Sequence, residues 1–227
     1  YDGASLAIGA NTLTFTGGTG NSDEGIFENA NALTVAASGQ ITVTNNVNVT
    51  GNITMSGNAT ISIANGKTLN YDGASLAVGA NTLTLTGGTG ANDEGKIDNA
   101  NAITISTGKL DVDNNIEIDG DITISDDATF DIASGKTLDY DGAQINIGDN
   151  TLSIVGGGTI DNATNITLSH ANSLLNIKTN ASATIAKVST SANVTGTSKG
   201  VDVDVNATIT TLTVAHTCPV LIKNGVT

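Results

Sequence analysis

A stretch of 20 residues occurs twice in this chain almost letter for letter. Tyr1–Gly20 reads YDGASLAIGANTLTFTGGTG and Tyr71–Gly90 reads YDGASLAVGANTLTLTGGTG, differing only at Ile8/Val78 and Phe15/Leu85. A third, looser copy starts at Tyr140 as YDGAQINIGDNTLSIVGGG. A fixed internal period is the signature of a stacked array, in which each unit buries its apolar face only against its neighbours. On this period the chain divides into units 1–70, 71–139 and 140–227, the last carrying degenerate C-terminal rungs. The repeated stretch itself reads as a structural corner, with Asp72-Gly73 as its turn.

Within the first unit, apolar residues come in i, i+2 pairs separated by short turns. The predicted inward positions are Leu6/Ile8, Leu13/Phe15, Ile26, Leu33/Val35, Ile41/Val43, Val47/Val49, Ile53/Met55, Ile61/Ile63 and Leu69. Turn formers such as Ser38-Gly39, Asn45-Asn46 and Asn65-Gly66 lie between them. Alternation over four or five residues indicates strands with one face inward, and no long stretch carries a helical stripe. The expectation is an all-β chain folded as a right-handed parallel β-helix. Three strands and 21–24 residues would make one rung, with about ten rungs in all.

Comparing the units separates frame from decoration. Gly39–Asn70 aligns without a gap on Gly108–Asp139, and the inward positions keep their type, as in Ile41/Leu110, Val49/Ile118 and Ile63/Ile132. Outward positions change to acids: Thr42, Thr44, Asn48, Thr50 and Asn52 become Asp111, Asp113, Glu117, Asp119 and Asp121. A segment present in Gly17–Glu28 and Gly87–Asp98 is shortened by six residues after Gly156. A piece that drops out without disturbing the strands reads as a protruding loop.

Charge limits the partners. The chain has 8 Lys, no Arg and 22 Asp plus Glu, a formal net charge of −14. Such a surface repels nucleic acid and anionic membranes, and Arg, the usual fork for phosphate, is missing. No apolar run is long enough to span a bilayer, so membrane insertion is not expected. The one cysteine, Cys218, gives no disulfide framework.

Candidate sites are few. His170 and His216 have no metal-ligand spacing, and Cys218 has no base nearby in sequence. No catalytic residue is assigned and no enzyme activity is expected. Calcium is the sharper possibility, because it takes six to eight oxygen ligands and suits Asp-, Asn- and Gly-rich loops. The candidates are Asp23, Glu24, Asp93 and Glu94 in the two loops, and Asp111, Asp113, Asp119 and Asp121 in the acidic stripe. The loops resemble the GGxGxD of calcium-binding β-rolls, with one extra residue before the Asp and no nine-residue repeat. A solvated acidic face is the alternative. Thr-x-Thr strings at Thr12/Thr14/Thr16, Thr42/Thr44 and Thr82/Thr84/Thr86 resemble the ranks of ice-binding solenoids. Asp111 and Asp113 interrupt the face that Thr42 and Thr44 would share, so a continuous rank is not expected there.

The strings NGKTLNYDGASL and SGKTLDYDGAQI, with IDNANAITIS and DITIS, resemble repeats of secreted filamentous-haemagglutinin-type adhesins and autotransporter passengers. The resemblance covers roughly residues 1–165. It implies a right-handed parallel β-helix displayed outside the cell, and it carries no catalytic residue over. Nothing at Tyr1 or Thr227 reads as a cap. The expected function is therefore a structural segment of an extracellular filament or adhesin, joined end to end or continued in a longer chain. The alternative is a module that binds calcium, a glycan or another cell-surface partner through the acidic stripe and loops.

Overall fold

The computed structural model describes residues 5–18, 24–28, 32–71, 75–89, 93–99, 102–162, 165–178 and 183–223. Every regular element among them is a β-strand, and the strands pair in parallel to form a β-solenoid of about eight three-strand turns, followed by rungs in which strands run through a corner. The chain visits three faces in order. The first rung is Ser5–Ile8, Thr12–Phe15 and Gly25–Glu28; the second is Ala32–Val35, Gly39–Val43 and Val47–Thr50. Each strand pairs with its counterpart one rung away, Leu33 with Ile53, Ile41 with Ile61 and Val47 with Leu69. In this geometry backbone N–H and C=O groups point along the axis and are satisfied by adjacent rungs.

The rungs are unequal rather than uniform. On the second face Leu13 pairs with Ile41, Ile41 with Ile61 and Ile61 with Leu85, steps of 28, 20 and 24 residues. The next unit repeats the rhythm: Leu85 with Val112, Val112 with Ile132 and Phe130 with Ile154. The long steps are the ones that contain Gly17–Glu28 and Gly87–Asp98, so the extra residues are added at one corner without altering the columns. Antiparallel bridges from Gly18 to Asn46 and from Gly88 to Asn115 tie down the base of each insertion. The loop tips, and the Asp72-Gly73 turn, lie outside the described residues.

Alternation fills the interior as expected, with one exception. Leu33, Val35, Ile41, Val43, Ile61, Leu83 and Leu110 are fully buried, and each such side chain contributes about 1.5–3 kcal/mol of apolar burial. Ile26, expected to point inward, is 69% exposed. Its strand begins at Gly25, opposite inward-facing Val47, and this parity sends Gly25 and Phe27 inward instead. Phe27 packs against Phe15 with ring centroids 5.3 Å apart. A small residue at Gly25 is required, because a Cβ there would lie 2.7 Å from the Gly17 Cα.

The repeated Tyr-Asp-Gly element is part of the frame. Tyr71 and Tyr140 are fully buried at the same corner of their units. Tyr71 Oη accepts the Ile53 N–H at 2.8 Å and donates to the Ser75 carbonyl; Tyr140 Oη accepts the Ile122 N–H at 3.2 Å. Burial pushes both phenols up to about 12, so they stay protonated. Two asparagines act similarly at another corner: Asn46 Oδ1 accepts the Thr68 N–H and Asn115 Oδ1 that of Thr137. Side chains thus satisfy backbone donors where the chain turns and the ladder is interrupted.

Beyond the eighth rung the three-strand rhythm changes. Thr184–Thr190 is a single strand whose first residues stack on Thr159 and Ile160 of the third face and whose last stack on Ile166–Leu168 of the first. TIAKVST holds no Gly, Asn or Pro, so nothing in it breaks the strand at the corner. Thr208–Thr213 follows the same path one rung later, and Val220–Ile222 completes a second-face column of ten strands.

Candidate functional site: acids on two faces and a face without charge

The acidic stripe of the sequence is not one stripe in space. Asp111 lies on the second face, Asp119 on the third, and Asp113 and Asp121 at exposed turns. A run of acids at alternate positions keeps one inside-outside sense, but the chain rounds two corners between residues 111 and 121. Asp23 lies outside the described residues. Glu24 accepts a hydrogen bond from Asn70 Nδ2 at 3.4 Å, whereas Asp93 is exposed and its backbone carbonyl accepts the Gly66 N–H. The seven described candidates are therefore not brought together as one set.

Lysines share the acids out between rungs. On the second face Asp111 pairs in register with Asp131, and Lys109 bridges them at 3.2 and 2.6 Å. On the third face Lys96 reaches Glu117 at 2.9 Å and Asp119 at 3.2 Å. Lys223 reaches back to Asp204. Partial burial pulls the Lys96 and Lys109 ammonium groups down, yet hydrogen bonds and charge from their acid partners leave both above the ordinary lysine value. At half-exposed positions each ion pair contributes about 0–1 kcal/mol. Asp121 Oδ1 is occupied otherwise, accepting the Ala143 N–H at 3.2 Å.

The third face goes further than the sequence indicated. Glu117 stacks on Asp139 and Asp139 on Asp161, one acid per rung, with Lys96 at one end of the column. Asp139 is the most strongly affected: burial, then the charges of Asp141, Asp161, Glu117 and Glu94, push its carboxyl up to about 6. Asp161 was missed in the sequence because it follows the shortened loop. Its counterpart Asp98, in the same GKID/GTID position, was the available signal.

Other titratable groups stay apart. His170 Nδ1 faces Asp149 Oδ1 at 2.8 Å on an exposed turn, while His216 sits on a later rung. Cys218 is half-buried, and burial pushes its thiol up, away from the reactive thiolate. Among the described residues no group of three or more His, Cys, Asp or Glu side chains has metal-binding geometry.

The first face has a different character. Its central outward position runs Ala7, Thr34, Thr54, Ala77, Thr104, Thr123, Asn146, Thr167, Ser189 and Thr213, each in register with the next. None carries a charge. Comparison of the chain with family models, with curated proteins and with solved structures finds no match.

Proposed function

We propose that this chain is a structural repeat segment of an extracellular surface filament or large adhesin, extended by stacking along its axis. The observation that carries this reading is the unbroken second-face column from Thr12–Phe15 to Val220–Ile222, whose inward residues stay apolar while outward ones vary from Thr to Asp. Selection for a constant frame under a changing surface suits a spacer that supplies length and display area. Display outside the cell follows from the resemblance of the GKTL and DITIS strings to secreted adhesin repeats.

Sedimentation velocity over a concentration series, with negative-stain imaging, tests the stacking. Rods whose length grows in steps of one chain are expected. A strictly monomeric rod at all concentrations would contradict end-to-end association.

A calcium-binding role is the second reading, supported by the Glu117–Asp139–Asp161 column, where stacked carboxylates about 4.8 Å apart repel one another. Thermal melts with calcium and with chelator separate the two readings. No shift is expected for the spacer. A midpoint raised by calcium and abolished by Asp139→Asn would favour the binding module.

A further inference from the structure

The first face differs from the other two in a way that composition alone does not explain. A chain with 22 acids and a net charge of −14 keeps every charge out of its central rank there. Charges flank the face at its corners: exposed Asp121 and Lys187 lie two residues before the rank positions Thr123 and Ser189, and exposed Asp126 and Asp149 lie three residues after Thr123 and Asn146. In the middle of the rod Thr34, Thr54, Thr104 and Thr123 stand outward over fully or nearly fully buried neighbours such as Val35, Ile53 and Ile103. A second rank lies two residues on. Ser106 and Ser125 follow the paired Ile105 and Ile124 and lie in register, while Ser56 lies on the other side of a register shift between Ala77 and Gly79. Where the frame departs from Thr and Ser in this stretch it substitutes the smaller Ala36, Ala77 and Gly79, the last at an irregularity in the ladder.

We propose that this face binds the surface of ice. The partner follows from three properties together. The ranks repeat along the axis every ~4.8 Å, the spacing of hydrogen-bonded strands, which is close to the shortest repeat of the hexagonal ice lattice. Thr presents a methyl group and a hydroxyl at each step, the methyl holding adjacent water in a cage and the hydroxyl anchoring it. β-Branching stiffens χ1, so the rank is ordered before it meets a surface and loses little entropy on binding. Charged side chains would bind water in disordered shells, and here they are confined to the other faces and to the edge. A crystalline polysaccharide is a poorer match, because sugar rings are held by aromatic platforms and this rank contains none. The match is best from Thr34 to Ser125. Beyond it Gln144 leans over the rank, accepting a hydrogen bond from the Thr167 hydroxyl at 3.0 Å and leaving that residue 2% exposed.

The purified chain, assayed for thermal hysteresis and for uptake into a growing ice hemisphere, tests this directly. The unaltered protein is expected to show concentration-dependent hysteresis and enrichment in the ice. Thr104→Lys, at the centre of the rank, should lose most of both, while Thr60→Lys on the second face should retain them, with circular dichroism showing the same strand content in all three. Absence of hysteresis and exclusion from ice in the unaltered protein would overturn the proposal. So would equal loss in Thr60→Lys, or retention on crystalline cellulose or chitin without retention in ice. Failure of axial stacking in sedimentation leaves this outcome untouched, since the face lies along the rod and not at its ends.

Discussion

Single residues show why the Tyr-Asp-Gly element is conserved between units of this chain. Tyr71 fills a corner, where its hydroxyl oxygen accepts the Ile53 N–H and its proton goes to the Ser75 carbonyl. Tyr71→Phe keeps the ring and leaves that buried donor unsatisfied, so the expected loss is about 1–3 kcal/mol, read as a lower urea midpoint. An unchanged midpoint would show that water replaces the phenol. Gly142, in the third copy, is a sharper case: a Cβ there would lie 1.8 Å from the Gly120 carbonyl oxygen and 2.6 Å from Tyr140 Oη. Gly142→Ala is expected to destabilise by about 1–3 kcal/mol, as overpacking does. The sequence showed that these residues recur but not what they touch. Ile26 marks the limit at this scale, since a lone apolar residue beside a glycine does not reveal which of two parities the strand takes.

At the scale of strands and ladders, pairing decides what the acids do. Apart from Ile26, alternation separated inward from outward residues, but it is silent on which face a given rung presents. Asp111 and Asp119 therefore read as neighbours in sequence and lie on different faces in the fold. What could not be read was the corner between them. The Asp139 column has a measurable consequence. Its carboxyl is raised from 3.8 to about 6 in the folded chain, so folding takes up a proton between those values. The stabilisation is fully present below pH 3.8 and is lost as pH rises through about 6. On this group's account the melting temperature should fall between pH 4.5 and 7. Asp139→Asn is expected to flatten that slope and raise the midpoint at pH 7, because it removes the charge faced by Asp141, Asp161 and Glu117. An unchanged slope in the variant would assign the effect to other carboxylates.

For the whole molecule, the internal period was the most informative property of the sequence. It pointed to a stacked array and set apart the insertions after Gly17 and Gly87, while the spacing of strand slots within it suggested three strands per rung. It overstated the evenness of the rungs, whose lengths follow the insertions, and it could not anticipate Thr184–Thr190 running through a corner. Nor did it expose the uncharged face. The visible Thr-x-Thr strings lie on the second face, whereas the first-face rank draws one Thr from each of several dissimilar strands. Such a rank becomes visible only when rungs are superposed.

Spin-label distances along one face test the three-faced solenoid most directly. In a Cys218→Ser background, nitroxides at Thr34 and Thr123 are four rungs apart, and at Thr34 and Ser189 seven rungs apart. At ~4.8 Å per rung the backbone separations are about 19 and 34 Å, so the two pulsed-dipolar distances should stand in that ratio, allowing for label length. Distances that do not grow with rung number, or a Thr34–Ser189 separation shorter than Thr34–Thr123, would contradict the stacked architecture.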